Sequence, residues 1–162
     1  ATLLRQHRHL RALVMDRAAV VEPARAQLAE RLSQGEAWCE RLSYQAGDLL
    51  GDELPAARNP REVYLLCAVL HGMSDADALR LLQRIAAVAR PVGARLVLME
   101  TDMPAQQADA ARCGIDLQLL MGTPGRLRTA SEWQALFARS GWRLQETVGL
   151  ATFAQMQVLS TD

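Results

Sequence analysis

Apolar residues along this chain fall into two alternating patterns, short unbroken runs and longer stretches spaced at three and four. The runs are "LRALVMD" ending at Asp16, "RLSYQAG" at residues 41–47, "EVYLLCAVL" at 62–70 and "ARLVLMET" at 94–101. Each reads as a buried strand, and the third, the most apolar, as a central parallel strand covered on both faces. Between them lie helical patterns. The first residues already read as the middle of a helix. Glu22 and Pro23 open the next one, since proline suits a first turn, and Leu28 and Leu32 give its apolar face until Gly35. Ser74 with Asp77 resembles a capping box before Leu79, Leu82, Ile85 and Ala86, and "PVG" at 91–93 stops that helix. A further helix is expected over 106–121, with Ile115, Leu119 and Leu120 on its apolar side. Thr129 and Glu132 make a stronger box for a last helix that Gly141 ends and in which Trp133 belongs to the core.

Two runs of period two, "WRLQETV" and "FAQMQVLS", close the chain as an antiparallel hairpin, while "GDLLGDELPAARNP" breaks the pattern as a loop. Strands alternating with helices predict an α/β fold, a mostly parallel sheet wrapped on both faces with an antiparallel edge. At 162 residues the chain is expected to form one unit, 1–162. In such sheets ligands bind beyond the carboxyl ends of the strands. Asp16, Asp48, His71 and Glu100 each fall at or just after such an end.

Charge narrows the partner. All 18 basic side chains are arginine, they balance 18 acidic ones, and neither sign forms a long run. This composition carries no footprint for nucleic acid or an anionic membrane, so a small molecule or a protein is the expected partner. Cys39, Cys67 and Cys113 lack the paired short spacings of metal ligands or a redox dithiol, and reduced thiols in a cytoplasmic setting are expected. His7 and His9 have no third ligand nearby, so no metal site is expected. No apolar stretch approaches the roughly 20 residues that span a bilayer, and the amino end lacks the order of a signal peptide.

Three blocks in order, "VLHGMSDADALRLL", "PVGARLVLMETDMP" and "GRLRTASEWQALFARSGW", resemble the cofactor domain of S-adenosylmethionine-dependent O-methyltransferases. The likeness is to the two-domain type that includes plant caffeic acid and bacterial polyketide and phenazine enzymes. It implies a Rossmann-like methyltransferase sheet and methyl transfer from S-adenosylmethionine to a hydroxyl of a small aromatic or polyketide-like molecule. It also implies a homodimer. Asp16 matches the acidic residue that holds the cofactor ribose, and Asp48 in "AGDLL" the one that accepts from the adenine amino group, with Leu49 against the ring. His71 matches the general base and Glu100 a glutamate that orients it; histidine titrates near the working pH, which suits that role. Met103 and Met121 are candidates for the substrate wall, because methionine adapts to flat rings.

The chain also departs from the pattern. "ATLLRQH" looks like the helix downstream of the family's first strand and glycine-rich turn, so this stretch by itself is expected to be inactive. That strand lies centrally in the family sheet, and its place is expected to be filled by another copy, a swapped segment or further chain. Leu127 stands where many relatives carry a second glutamate, Gly72 and Met73 replace aspartate and tryptophan, and Cys67 replaces a lysine of plant members. These departures motivate the alternative, a noncatalytic methyltransferase-like structural or interaction module.

Overall fold

The strands of the chain form two separate sheets in the computed structural model, which describes residues 1–107, 109–151 and 154–161. They belong to two compact units, Ala1–Glu53 and Leu54–Asp162.

In the first unit a short helix, α1 (Thr2–Gln6), precedes β1 (Ala12–Asp16), helix α2 (Ala18–Ser33), a 3-10 turn at Ala37–Arg41 and β2 (Leu42–Ala46). β1 and β2 run parallel, with Asp16 opposite Ala46. The Arg41 guanidinium gathers the chain leaving α1, donating to the carbonyls of Leu4, His7 and Leu10. Helix α2 starts earlier than the proline suggests. Val20 and Val21 bond back to the Arg17 carbonyl, so Pro23 sits inside the helix and removes one bond from its second turn. Burial of Val21 favours the earlier start. Little else is covered: Leu13 and Val14 of β1 remain 47% and 40% exposed.

The second unit carries β3 (Val63–Cys67), helix α3 (Asp75–Ala89), β4 (Arg95–Thr101), helices α4 (Ala110–Gly122) and α5 (Ala130–Ser140), and strands β5 (Arg143–Gly149) and β6 (Ala154–Ser160). Its sheet has the order β3-β4-β6-β5, parallel between β3 and β4 and antiparallel in the rest. The expected closing hairpin is therefore present; Phe153, assigned to it by pattern, lies outside the described residues. Buried residues of α3 fall at 78, 81, 82, 85, 86 and 89, the spacing of one helical face. They join Leu96 and Leu98 of β4, Leu159 of β6 and Trp133, Leu136 and Phe137 of α5 in the core. The Trp142 indole donates to the Leu82 carbonyl at 2.9 Å, so its one polar atom is satisfied where it is buried. Gly141 closes α5 in the left-handed region with φ of 78°. The Thr129–Glu132 box is complete, with both reciprocal bonds formed. At Ser74 only half a box forms: its hydroxyl accepts from the Asp77 N–H, and the shorter Asp77 carboxylate meets the hydroxyl instead of the backbone.

Two expectations need correction. β3 is an edge strand, and Val63, Leu65 and Cys67 on one of its faces are exposed, so it is covered on one face only. Helix α4 begins at Ala110, and Leu120 on its expected apolar side is 73% exposed, with only Ile115 and Leu119 half-buried. Among the described residues the second edge of β1 and the second edge of β3 pair with no strand.

Candidate active site

The turn that presents His71 begins where β3 stops. Ala68 takes a positive φ of 54°, costly for a residue with a Cβ by about 1–3 kcal/mol, and turns the chain out of the sheet while its N–H still bonds to the Met99 carbonyl. A 3-10 turn, Leu70–Gly72, follows directly. Three groups from neighbouring elements hold that turn. Glu100, near the end of β4 and 3% exposed, accepts at Oε1 from the N–H groups of Val69 at 3.0 Å and Leu70 at 2.8 Å. Its other oxygen, Oε2, lies 2.9 Å from His71 Nδ1. In this rotamer the ring is not aimed along that line, and neither atom gains a true hydrogen bond.

Arg128 holds the other end. Fully buried, it donates to the carbonyls of Leu70 at 2.7 Å and Met73 at 2.8 Å and to the Asp75 carboxylate at 2.8 Å, and it lies 5.1 Å from the centre of the Trp133 ring. Gly125 closes the third side. A Cβ there would come within 1.9 Å of the His71 carbonyl oxygen and 2.8 Å of Gly72 Cα, so only glycine allows this approach of two backbones. Asp75 faces both Arg128 and Arg126. Burial alone would raise its pKa, but the hydrogen bonds from the two guanidinium groups outweigh that and hold the carboxyl below its ordinary value. The site contact between His71 and Glu100 thus sits in a frame of charge-assisted bonds.

In the first unit, Asp16 and Asp48 occupy the carboxyl ends of the paired strands β1 and β2. Asp16 Oδ1 accepts from the Arg17 N–H at 2.7 Å, and Asp48 Oδ1 from the Leu50 N–H at 2.8 Å. The second oxygens make no hydrogen bond among the described residues. Leu49, next to Asp48 in the chain, is half-buried.

The expected residues thus fall into two groups, His71 with Glu100 and Asp16 with Asp48 and Leu49, each within its own unit. Met103 follows β4 and bonds through its N–H to the Arg128 carbonyl, with its side chain half-buried. Met121, at the end of α4, is 80% exposed and joins neither group. A cavity of about 380 Å³ between α5 and β5, lined by Phe137, Trp142 and Leu144 among others, contains none of these residues. No cluster of three or more His, Cys, Asp or Glu that could hold a metal occurs among the described residues. Arg128 and Gly125 are the residues that sequence reasoning did not single out. Buried arginine is rare, and the only signal was their place in the block that contains Thr129 and Trp133.

The family model described as an O-methyltransferase domain matches residues 1–143. The chain belongs to the O-methyltransferase family. This O-methyltransferase domain is 35% identical over 136 residues to acetylserotonin O-methyltransferase of Bos taurus, covering 82% of the chain and 36% of that protein. Among solved structures it superposes on the mitomycin 7-O-methyltransferase with a TM-score of 0.83 at 26% identity, covering 99% of this chain and 44% of that one. An O-methyltransferase of neocarzinostatin biosynthesis, in complex with S-adenosylmethionine and 2-hydroxy-5-methyl naphthoic acid, shares the fold with a TM-score of 0.80 at 24% identity, covering 99% and 44%. The chain therefore spans between a third and a half of the length of these relatives.

Proposed function

We propose that residues 1–162 act as one S-adenosylmethionine-binding domain of an O-methyltransferase whose acceptor is the hydroxyl of a small aromatic or polyketide-like molecule. The observation that carries this reading is the 2.9 Å approach of His71 Nδ1 to the buried Glu100 carboxylate. A buried carboxylate oxygen that close favours the ring form with its proton on Nδ1, which leaves Nε2 unprotonated, the form that a general base needs. Nε2 takes the acceptor's hydroxyl proton, and the Glu100 charge stabilises the imidazolium that results. The proton then passes to solvent, which His71 reaches because its side chain is 21% exposed.

Asp16 and Asp48 fit the nucleoside of the methyl donor. Each carboxylate spends one oxygen on its own loop, so the other is available to ribose hydroxyls or an adenine amino group. Leu49 beside Asp48 supplies apolar surface for the base. S-adenosylmethionine, when bound, supplies an electrophilic sulfonium methyl group and is released as S-adenosylhomocysteine. Met103 is assigned to the acceptor wall. Met121 is assigned there too, although its exposure means that something else must complete its surroundings.

A homodimer is part of this proposal. Helix α4 buries no residue and exposes Leu117 and Leu120 by 57% and 73%, apolar surface that a second copy would cover. No described helix is long and apolar enough to cross a membrane, and a cytoplasmic setting is proposed. A noncatalytic role is the second reading, favoured by Leu127: it is 3% exposed and packs as core at the position that the family resemblance gives to a second glutamate. Incubation of the natural full-length protein with methyl-labelled S-adenosylmethionine and a panel of hydroxynaphthoic acids, flavones and hydroxyphenazines separates the two. Label transfer to a hydroxyl that His71→Gln abolishes is expected. Cofactor binding without transfer to any acceptor would favour the noncatalytic reading.

A further inference from the structure

We infer that Arg128 is the positioning residue of the base: it fixes the His71 turn so that Nδ1 is held beside Glu100 and Nε2 stays free. This inference rests on His71 acting as the base. The turn has few bonds of its own, since the N–H groups of Gly72 and Met73 bond only to the nearby carbonyls of Val69 and Leu70. Its place is set from outside, with the two ends held by opposite charges. Glu100 takes the N–H groups of Val69 and Leu70, and Arg128 takes the carbonyls of Leu70 and Met73. Leu70 is thus held through both its N–H and its carbonyl, one residue before His71.

Arginine suits this task and lysine does not. The planar guanidinium offers three separate directions at once, here to Leu70, Met73 and Asp75, whereas an ammonium is a single point on a flexible stem. Arg128 itself cannot drift. Its backbone carbonyl accepts from the Met103 N–H, Asp102 pairs with it in an isolated bridge, and Trp133 stacks beneath it. Gly125 then sets how closely the preceding loop approaches His71, because any side chain there would push against the His71 carbonyl. Misplacement of a catalytic group by about 1 Å can cost about 100-fold in rate. Arg128 touches no reacting atom, so its effect passes through the imidazole.

The test reads His71 directly and needs no acceptor. Long-range nitrogen–proton NMR spectra of histidine-labelled full-length protein report which ring nitrogen carries the proton in neutral imidazole, and the His71→Gln spectrum assigns the signal. Wild-type protein is expected to show His71 with the proton on Nδ1. Arg128→Lys is expected to keep a cooperative melt yet lose that pattern to a mixture of the two forms. Gly125→Ala, which moves the same turn from its other side, is expected to do the same and serves if Arg128→Lys does not fold. A wild-type Nδ1 proton that persists unchanged in a folded variant would overturn the positioning role and leave the base assignment standing. A wild-type His71 protonated on Nε2 would overturn the base assignment, and the positioning role with it.

Discussion

The three carboxylates proposed to serve one reaction are held in opposite ways. Glu100 is 3% exposed, spends one oxygen on two backbone N–H groups and presents the other to a histidine. Asp16 is half-buried and Asp48 exposed, and among the described residues each carboxylate accepts only from a backbone N–H one or two positions on. The contrast follows the chemistry. A base must be fixed within a fraction of an ångström before the acceptor arrives, whereas carboxylates that grip hydroxyl groups complete their bonding when the ligand does. The same contrast runs through the packing. Helices α3 and α5 bury a continuous core in the second unit, while β1 leaves Leu13 and Val14 exposed.

This comparison predicts a graded set of effects in the natural full-length protein. Removing the proposed base should matter most: His71→Gln is expected to lower kcat by about 100- to 10,000-fold with little change in melting temperature, measured by steady-state methyl transfer beside a thermal scan. Breaking the rigid side comes next. Glu100→Ala strips the Val69 and Leu70 N–H groups of their acceptor and should destabilise the fold by about 2–5 kcal/mol, read from urea unfolding. Asp16→Ala, on the open side, should leave unfolding unchanged and weaken S-adenosylmethionine binding by about 10- to 100-fold, the loss of one charged hydrogen bond.

The smallest effect concerns Asp75. Its pKa in the folded protein lies below its ordinary 3.8, so the carboxylate contributes stability that is fully present above that value and lost as pH falls through the lower folded value. Asp75→Asn should therefore flatten the acid limb of stability below about pH 4, measured by urea midpoints against pH. Its side chain is 51% exposed, so solvent screening keeps the change slight.

Elements with a strong local code were legible from the chain. The period of α3 and the Thr129–Glu132 box depend on neighbours within a turn or two, and both form as read. The proline rule misplaced the start of α2 because burial of Val21 outweighs one lost hydrogen bond. β3 looked doubly covered because its run is apolar throughout, but cover is supplied by distant chain, which a local pattern does not contain. His71 and Glu100 were legible through the resemblance of their blocks, and the structure adds that they meet. Arg128 was not, because a buried arginine reads as surface until its carbonyl partners, more than 50 residues away, are known.

Calorimetric titration of S-adenosylmethionine into full-length wild type, His71→Gln and Asp16→Ala tests most directly whether the Asp16 group binds the cofactor and the His71 group reacts. The account predicts binding by wild type, an affinity for His71→Gln within about twofold of it, and a loss of about tenfold or more for Asp16→Ala. No binding by wild type, or a loss confined to His71→Gln, would contradict it.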